Sequence, residues 1–538
     1  MSCIQILDCT LRDGAYINNS KFGTPAIKGI IKKLQDARID VIECGWLKDA
    51  NHEVGSSYYH VPMDLKQYLL EKDSKKTYVA MIDWDRYDTS ALPEYDGKSI
   101  DAIRVVFPHG RHMQGIEVGK KVREKGYRVY FQIANTLAYS DKELQELVKD
   151  MNEFAPESLS VVDTFGAMYP EDVERILGVI DSRLDKKIKL GFHSHNNQQL
   201  AFANTMKFIE LLENSGRDII VDASLCGMGR GAGNATTELV ANYINVKHNG
   251  NYDMNAIMDA IDMYMGQFEA KYTWGYSTQY FIAGMYQCHV NNIAYLLDNH
   301  RTNFHDMRNI IDSLSAEDRR KYDYDLLEKK YMENQNRIVD DSGAKAILKD
   351  RIKNRSVLLL APGKSLDEEK DKIDKYILDN NPLVIGVNAF NVNYTYDYVF
   401  FVNSSRYEYA KQAYEKMFHS TEKILLSNIK TEAEGKELIV NFNDAIKRGW
   451  KHFDNAVICC LRMLNKLNVD KIVLAGFDGF KTQYNESYCD SSLPSLNAEG
   501  KWEELNIEIK DMFQDFVEST RGKINISFLT DSIYNISR

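Results

Sequence analysis

Little in this sequence staples or interrupts a chain. Only 9 prolines occur in 538 residues, so long proline-rich or disordered segments are not expected. The 8 cysteines are scattered without a Cys-x-x-Cys pair, and the neighbours Cys459 and Cys460 are too close along the chain to bridge easily. A reducing, cytoplasmic setting is therefore expected. Positive charge is also short: 67 Lys and Arg against 78 Asp and Glu leave a net charge of −11. That argues against a nucleic-acid partner, because phosphate binding needs clustered cations. No apolar run approaches the roughly 20 residues of a membrane span. The chain enters the strand Ile4-Gln5-Ile6-Leu7 without the charged and apolar stretches of a secretion signal. No membrane partner is expected.

What is present is α/β patterning. Hydrophobic residues at 44% and charged residues at 27% are those of an ordinary globular protein, and the length suggests roughly two to four domains. Over the first 230 or so residues, short apolar runs alternate with stretches of helical period, as in repeated βα units. Eight strands are predicted, at Ile4–Leu7, Asp40–Trp46, Thr77–Asp83, Ile100–Phe107, Tyr127–Ala134, Leu159–Thr164, Ile188–His195 and Ile219–Cys226. That count and length predict a (β/α)8 TIM barrel over residues 1–250, with its active site at the C-terminal strand ends. Residues 251–350 read as a charged helical extension, a lid or a dimer contact, so a homodimer is expected. Residues 351–538 return to an α/β pattern and predict a doubly wound, Rossmann-like domain.

The polar residues at the barrel strand ends include Arg12, Asp13, Glu43, Asp83, Arg104, Gln132, Asp163, Thr164, His193 and His195. Buried charges cost several kcal/mol unless paired or bound to metal, so this concentration suggests a shared site. On a strand, residues i and i+2 share a face, which places His193 and His195 toward the lumen. Imidazole with carboxylate suits Mn²⁺, Co²⁺, Fe²⁺ or Zn²⁺, and Mg²⁺ where water fills the open positions.

The segment Asp8-Cys9-Thr10-Leu11-Arg12-Asp13-Gly14, Glu43, His193-x-His195 and the run Gly227 to Asn234 together resemble the metal-dependent TIM-barrel lyases and synthases. That superfamily includes hydroxymethylglutaryl-CoA lyase, isopropylmalate synthase and 4-hydroxy-2-oxovalerate aldolase. The resemblance covers roughly residues 1 to 300 and implies Asp13, His193 and His195 as metal ligands, with Asn234 as a further ligand or a group just behind them. The glycine-rich run is then a tight turn aiming Asn234, and Arg230 could touch a substrate anion. A 2-oxo acid such as pyruvate would chelate the metal, and its enolate would be stabilised by the cation and by Arg12. Glu43, Asp163 and Thr164 are candidates for substrate or supporting contacts.

The acid/base group departs from the relatives. The pyruvate aldolases carry a His two residues after the Gly of Arg-Asp-Gly, where this chain has Tyr16, and the acetyl-CoA-dependent synthases tend to carry a Glu where it has Ala15. Tyr16 is the nearest candidate, with a lowered phenol pKa if it lies by the metal; Tyr276, Tyr280 and His289 are alternatives. Arg-Asp-Gly-x-Tyr followed by Asn-Asn is most similar to aldolase-like proteins of bacterial surface-polysaccharide gene sets, which implies a sugar-like aldehyde partner.

In the C-terminal part, Ala361-Pro362-Gly363-Lys364-Ser365 lacks the first Gly of a Walker motif, since position 358 is Leu. With Val387-Asn388 and Ala475-Gly476-Phe477-Asp478-Gly479 it looks like Rossmann-type domains related to bacterial sialyltransferases and pterin diphosphokinases. Gly363, Ser365, Asn388, Asn403 and Asp478 are thereby nominated for a nucleotide or nucleotide-sugar. The leading expectation is a divalent-metal aldolase acting on a small-molecule 2-oxo acid. Two alternatives stand beside it: an acetyl-CoA-dependent Claisen-type synthase, and a nucleotide-sugar-binding or transferase protein with the barrel as scaffold.

Overall fold

The computed structural model describes residues 2–69, 71–430, 437–481, 484–495, 497 and 500–535. It falls into two compact units, Met1–Val290 and Asn291–Arg538.

The first unit is a closed parallel barrel. Its strands are β1 (Ile4–Asp8), β2 (Val41–Leu47), β3 (Tyr58–Tyr59), β4 (Thr77–Asp83), β5 (Ala102–Phe107), β6 (Arg128–Ile133), β7 (Ser158–Asp163), β8 (Lys189–Ser194) and β9 (Ile219–Ala223). They pair in the order β1-β9-β8-β7-β6-β5-β4-β2, and β1 also pairs with β2, which closes the ring. The two-residue β3 adds to β2 after a register shift between Glu43 and Trp46. All eight expected strands form, within a few residues of their predicted bounds.

The amphipathic helices between the strands have readable starts. Ser140 caps Asp141–Phe154 and shares a reciprocal capping box with Glu143, and Pro170 opens Pro170–Asp181. Their apolar faces pack on the outward strand residues in one large core.

Strand alternation sorts the lumen into two layers. Leu7, Val41, Val79, Ala102, Tyr130 and Ile220 form a separate apolar cluster inside the barrel. Two residues further along the same strands, hence on the same face, stand Glu43, Met81, Arg104, Gln132 and Asp222, while Cys9, just past β1, still belongs to the apolar cluster. The floor of the barrel is apolar and the layer above it is mostly polar, which confines charge to the C-terminal end.

The expected helical extension over 251–350 is not a unit of its own. Its first helices, including Met254–Ala260 and Thr278–Met285, belong with the barrel, whereas Phe304–Asp312, Tyr324–Gln335 and Ser342–Ile352 fall in the second unit. The cause is apolar burial on both sides. Ala256, Ile257 and Ala260 join the barrel core, while Ile310, Ile311 and Leu348 are buried beyond the division.

The second unit holds a seven-stranded parallel sheet: β10 (Val357–Leu360), β11 (Leu383–Val387), β12 (Tyr398–Phe401), β13 (Glu422–Leu426), β14 (Glu437–Val440), β15 (Lys471–Ala475) and β16 (Asn525–Phe528). The order is β14-β13-β12-β11-β10-β15-β16, so the winding reverses at β10/β15. This is the doubly wound sheet expected, with β14 as an additional strand. Among the described residues, no helix is long and apolar enough to cross a membrane.

Candidate metal centre of the barrel

Asp13 sits in a short helical turn, Thr10–Asp13, directly after β1, and is fully buried. Its Oδ2 accepts from Asn234 Nδ2 at 2.6 Å and lies 3.5 Å from His193 Nε2 and 3.6 Å from His195 Nε2. The two imidazoles meet edge to face with centroids 4.9 Å apart. Against the push of burial, Arg12 and both imidazoles hold the Asp13 carboxyl well below the usual carboxylate range. The predicted quartet Asp13, His193, His195 and Asn234 therefore converges.

Each ligand candidate is held from behind. His193 Nδ1 is 3.0 Å from Asp222 Oδ2, and His195 Nδ1 is 3.0 Å from the Asp163 carbonyl oxygen. Both arrangements turn Nε2 toward Asp13. Arg104 donates Nη1 to Glu43 Oε2 at 2.8 Å and Nη2 to Asp222, while Arg12 donates Nε to the same Glu43 oxygen at 2.8 Å and places Nη1 2.9 Å from Asp13 Oδ1. Burial raises Asp222, but Arg104 and His193 pull it below its ordinary value. His193 is drawn down by burial yet raised overall by Asp13 and Asp222. Burial lowers His195 to about 4, so at neutral pH its imidazole is neutral, the form that binds a metal.

Two features fit a cation. His193 Nε2 and Asn234 Oδ1 are buried with no hydrogen-bond partner among the described residues, although such atoms are normally satisfied. Among the described residues of this network, the three carboxylates of Asp13, Glu43 and Asp222 are met by two guanidiniums, Arg12 and Arg104, and by the His193 imidazole, so carboxylates outnumber the permanent cations. Donor atoms of Cys9, Asp13 and His193 also lie within 4.8 Å of one another. Cys9 had no assigned role from sequence. Its Sγ donates to the Ala223 carbonyl at 3.2 Å, and burial pushes its pKa well above the ordinary range, keeping it a thiol.

With this constellation in place, the comparisons with known proteins become specific. The HMGL-like family matches residues 113–263. This stretch of the barrel is similar to the HMGL-like family. The chain is 29% identical over 267 residues to the 4-hydroxy-2-oxovalerate aldolase of Thermomicrobium roseum, covering 48% of this chain and 71% of that protein. It is 27% identical over 263 residues to the oxaloacetate decarboxylase of Mycobacterium tuberculosis, covering 47% and 74%. Among solved structures, the N-terminal domain of an aldolase candidate from Bacteroides vulgatus is 27% identical, with 54% of this chain and 95% of that one covered at a TM-score of 0.47. The barrel is thus an enzyme domain of aldolase and lyase type.

The glycine-rich segment of the barrel is a tight turn. Gly227, Gly231 and Gly233 have positive φ, and Asn234 N donates to the Gly227 carbonyl at 3.0 Å. A Cβ on Gly229 would lie 2.5 Å from Asn234 Nδ2. The turn is tied to β8 by a bridge between His195 and Asn234.

The remaining nominees separate. Glu43 anchors Arg12. Asp163 faces away from a substrate role, since its carboxylate accepts from the amides of Ala167 at 2.8 Å and Met168 at 3.1 Å, and burial raises it to about 7. Thr164 Oγ1 accepts from Asn135 N at 2.7 Å. Both fasten loops, a role the nearby Gly166 signals. Tyr16 lies at the rim, 42% exposed, with its ring 3.8 Å below the Arg230 guanidinium, whose Nη1 is 3.2 Å from His289 Nε2. Its phenol is raised, not lowered, by protein surroundings: desolvation outweighs Arg230 and Arg12. His289 is lowered to about 3 by burial and by Arg230, which suits an acceptor rather than a proton donor. Tyr276 is 63% exposed.

In the second unit four of the five nominees, Gly363, Ser365, Asn388 and Asp478, stand at neighbouring strand ends without all being available, and the fifth, Asn403, caps the helix Ser404–Ala413 by accepting from Arg406 N at 3.0 Å. Ser365 N and Oγ donate to Asp478 at 2.9 and 2.5 Å, and Asn388 Oδ1 accepts from Val402 N at 2.9 Å. Gly363 approaches Gly476 so closely that a Cβ would meet its carbonyl oxygen at 2.4 Å.

Proposed function

We propose that the barrel makes or cleaves a carbon–carbon bond through the enolate of a pyruvate-like 2-oxo acid, with a sugar-like hydroxyaldehyde as the other fragment. The observation that carries this reading is the pair of buried acceptors on His193 and Asn234 without a hydrogen-bond partner among the described residues, converging on the Asp13 carboxylate beside the anchored guanidinium of Arg12. Asp13, His193, His195 and Asn234 would hold a divalent cation, which supplies Lewis-acid stabilisation of an enolate oxygen when bound. The relatives' names support the same electron flow. Cleavage of a 4-hydroxy-2-oxo acid and decarboxylation of oxaloacetate both leave the enolate of pyruvate.

The protein's own groups divide the remaining work. Glu43 takes Arg12 by its Nε edge, so the terminal nitrogens stay at the Asp13 end, where they would bind a carboxylate or enolate oxygen. Tyr16, kept protonated, would donate its phenol proton to the aldehyde oxygen as the bond forms; cleavage is the reverse, starting from the Tyr16 phenolate, which takes the hydroxyl proton. Arg230 stacked on it steadies an anion at the rim. A place in surface-polysaccharide assembly and a homodimeric state belong to the same reading, as does a nucleotide on the second sheet.

The test is exchange of the pyruvate methyl protons in deuterium oxide, followed by NMR alongside metal content. Asp13→Ala and His193→Ala should lose metal and exchange together. Exchange that persists in the metal-free variants would overturn the proposal. Products from pyruvate and hydroxyaldehydes, read by mass spectrometry, would then identify the second fragment.

A further inference from the structure

The winding of the second sheet reverses at β10/β15, and a crevice opens there, lined by Gly363 after β10, Asn388 after β11 and Asp478 after β15. Ligands of doubly wound sheets bind where the loops part at such a point. The nominated polar side chains are largely spent on the fold, as described above. Arg406, which also lines the crevice, is different. It is 6% exposed, yet its Nη1 is buried with no hydrogen-bond partner among the described residues, and its guanidinium rests 4.8 Å from the Tyr488 ring centroid.

A second feature points the same way. The N-terminal turn of the helix Ala456–Lys466 lines the crevice through Asn455, Ala456 and Val457. Asn455 caps only the amide of Ile458 with its side chain. A helix N-terminus and an arginine with an unmet donor, both lining one cavity, favour an anion, and a planar fork favours phosphate or carboxylate. The aromatic rings of Phe480 and Tyr488, 5.9 Å apart and nearly perpendicular, and Tyr534 supply apolar walls suited to a ring.

We propose that this crevice binds a nucleoside phosphate, with Arg406 anchoring the phosphate. This rests on the reading of the second sheet as a nucleotide-binding one and assigns its ligand class and anchor. The nominated Ser365 and Asp478 then shape the loop after β10, and the guanidinium carries recognition.

The full chain can be titrated with nucleoside mono- and diphosphates and with the parent nucleosides by calorimetry. At least one nucleoside phosphate should bind, its nucleoside should bind far more weakly, and Arg406→Gln should weaken the phosphate form by about 10- to 100-fold. Arg406→Lys should keep part of the affinity, and unchanged circular dichroism in either variant guards against a folding defect. Nucleoside phosphates that bind Arg406→Gln and Arg406→Lys as tightly as the parent would overturn the anchor while the nucleotide reading stands. Absence of binding by every nucleoside phosphate would overturn both.

Discussion

Replacing Arg104 by Met tests whether the barrel's polar layer is held together by charge balance. Arg104 is fully buried and joins Glu43, at 2.8 Å, to Asp222. The substitution roughly preserves side-chain length but leaves Asp13 and Glu43 to Arg12 and Asp222 to the His193 imidazole, one guanidinium fewer for three buried carboxylates. Stranding buried charge in this way costs about 3–5 kcal/mol, a large share of the roughly 5–15 kcal/mol that holds an ordinary domain folded. Because the chain has two units, hydrogen–deuterium exchange resolved by peptide is the right assay. Amides of β2, β5 and β9 should lose roughly 10²- to 10³-fold in protection, while β10 to β16 keep theirs. Adding Asp222→Asn to Arg104→Met removes one stranded charge and should recover about 1–3 kcal/mol. Parental protection of the barrel strands in Arg104→Met would refute the reasoning.

Further expectations concern pH, the turn and the rim. Asp8 is buried and pushed to about 6 by desolvation, against hydrogen bonds from Thr237 and Thr10. The folded barrel therefore keeps a proton that the unfolded chain releases near pH 4, and the stability so contributed is complete below pH 4 and lost as pH rises through 6. The change is about 3 kcal/mol, Asp163 adds the same sign up to about 7, and Asp8→Asn should flatten the slope in pH-dependent urea unfolding. Gly229→Ala should displace Asn234 and weaken metal binding by about tenfold in a chelator competition, with little change in unfolding midpoint, because no positive φ is needed there. Equal affinity in that variant would remove Asn234 from the site. Tyr16→Phe should slow aldol turnover by roughly 10²-fold or more while metal content is unchanged, and a rate within twofold of the parent would assign proton transfer elsewhere.

Much of the barrel was legible because strand length, branched residues and alternation are local properties. The floor-to-rim change from Val41 to Glu43, Ala102 to Arg104 and Ile220 to Asp222 is written in the sequence at a spacing of two. Asp222 still went without a role, since nothing local says that a carboxylate on the last strand will meet His193 on its neighbour. Cys9 was hidden for a similar reason: its place beside Asp13 depends on the turn that follows β1. For Asp163 the sequence left a substrate contact and a supporting one both open. A carboxylate at a strand end suggests chemistry, but the amides of Ala167 and Met168 claim it. In the second unit the loops after the strands drew attention, whereas Arg406 lies inside a helix, Ser404–Ala413, and only the folded sheet brings it to the crevice. The boundary at Val290 was likewise invisible, because charged helices look alike wherever they pack.

The bridge between His195 and Asn234, together with the approach of Asn234 to Asp13, has a consequence for how the enzyme is made. The four ligand candidates are contributed by residues 13, 193, 195 and 234, from the first strand of the ring to the turn after the last. On a ribosome, Asp13 emerges long before Asn234 exists, so the complete binding set appears only after the final barrel strand has left the exit tunnel and the ring has closed. A metal bound by this set would then be acquired late in biosynthesis and would act as a clasp on a seam joined last rather than as a seed for folding.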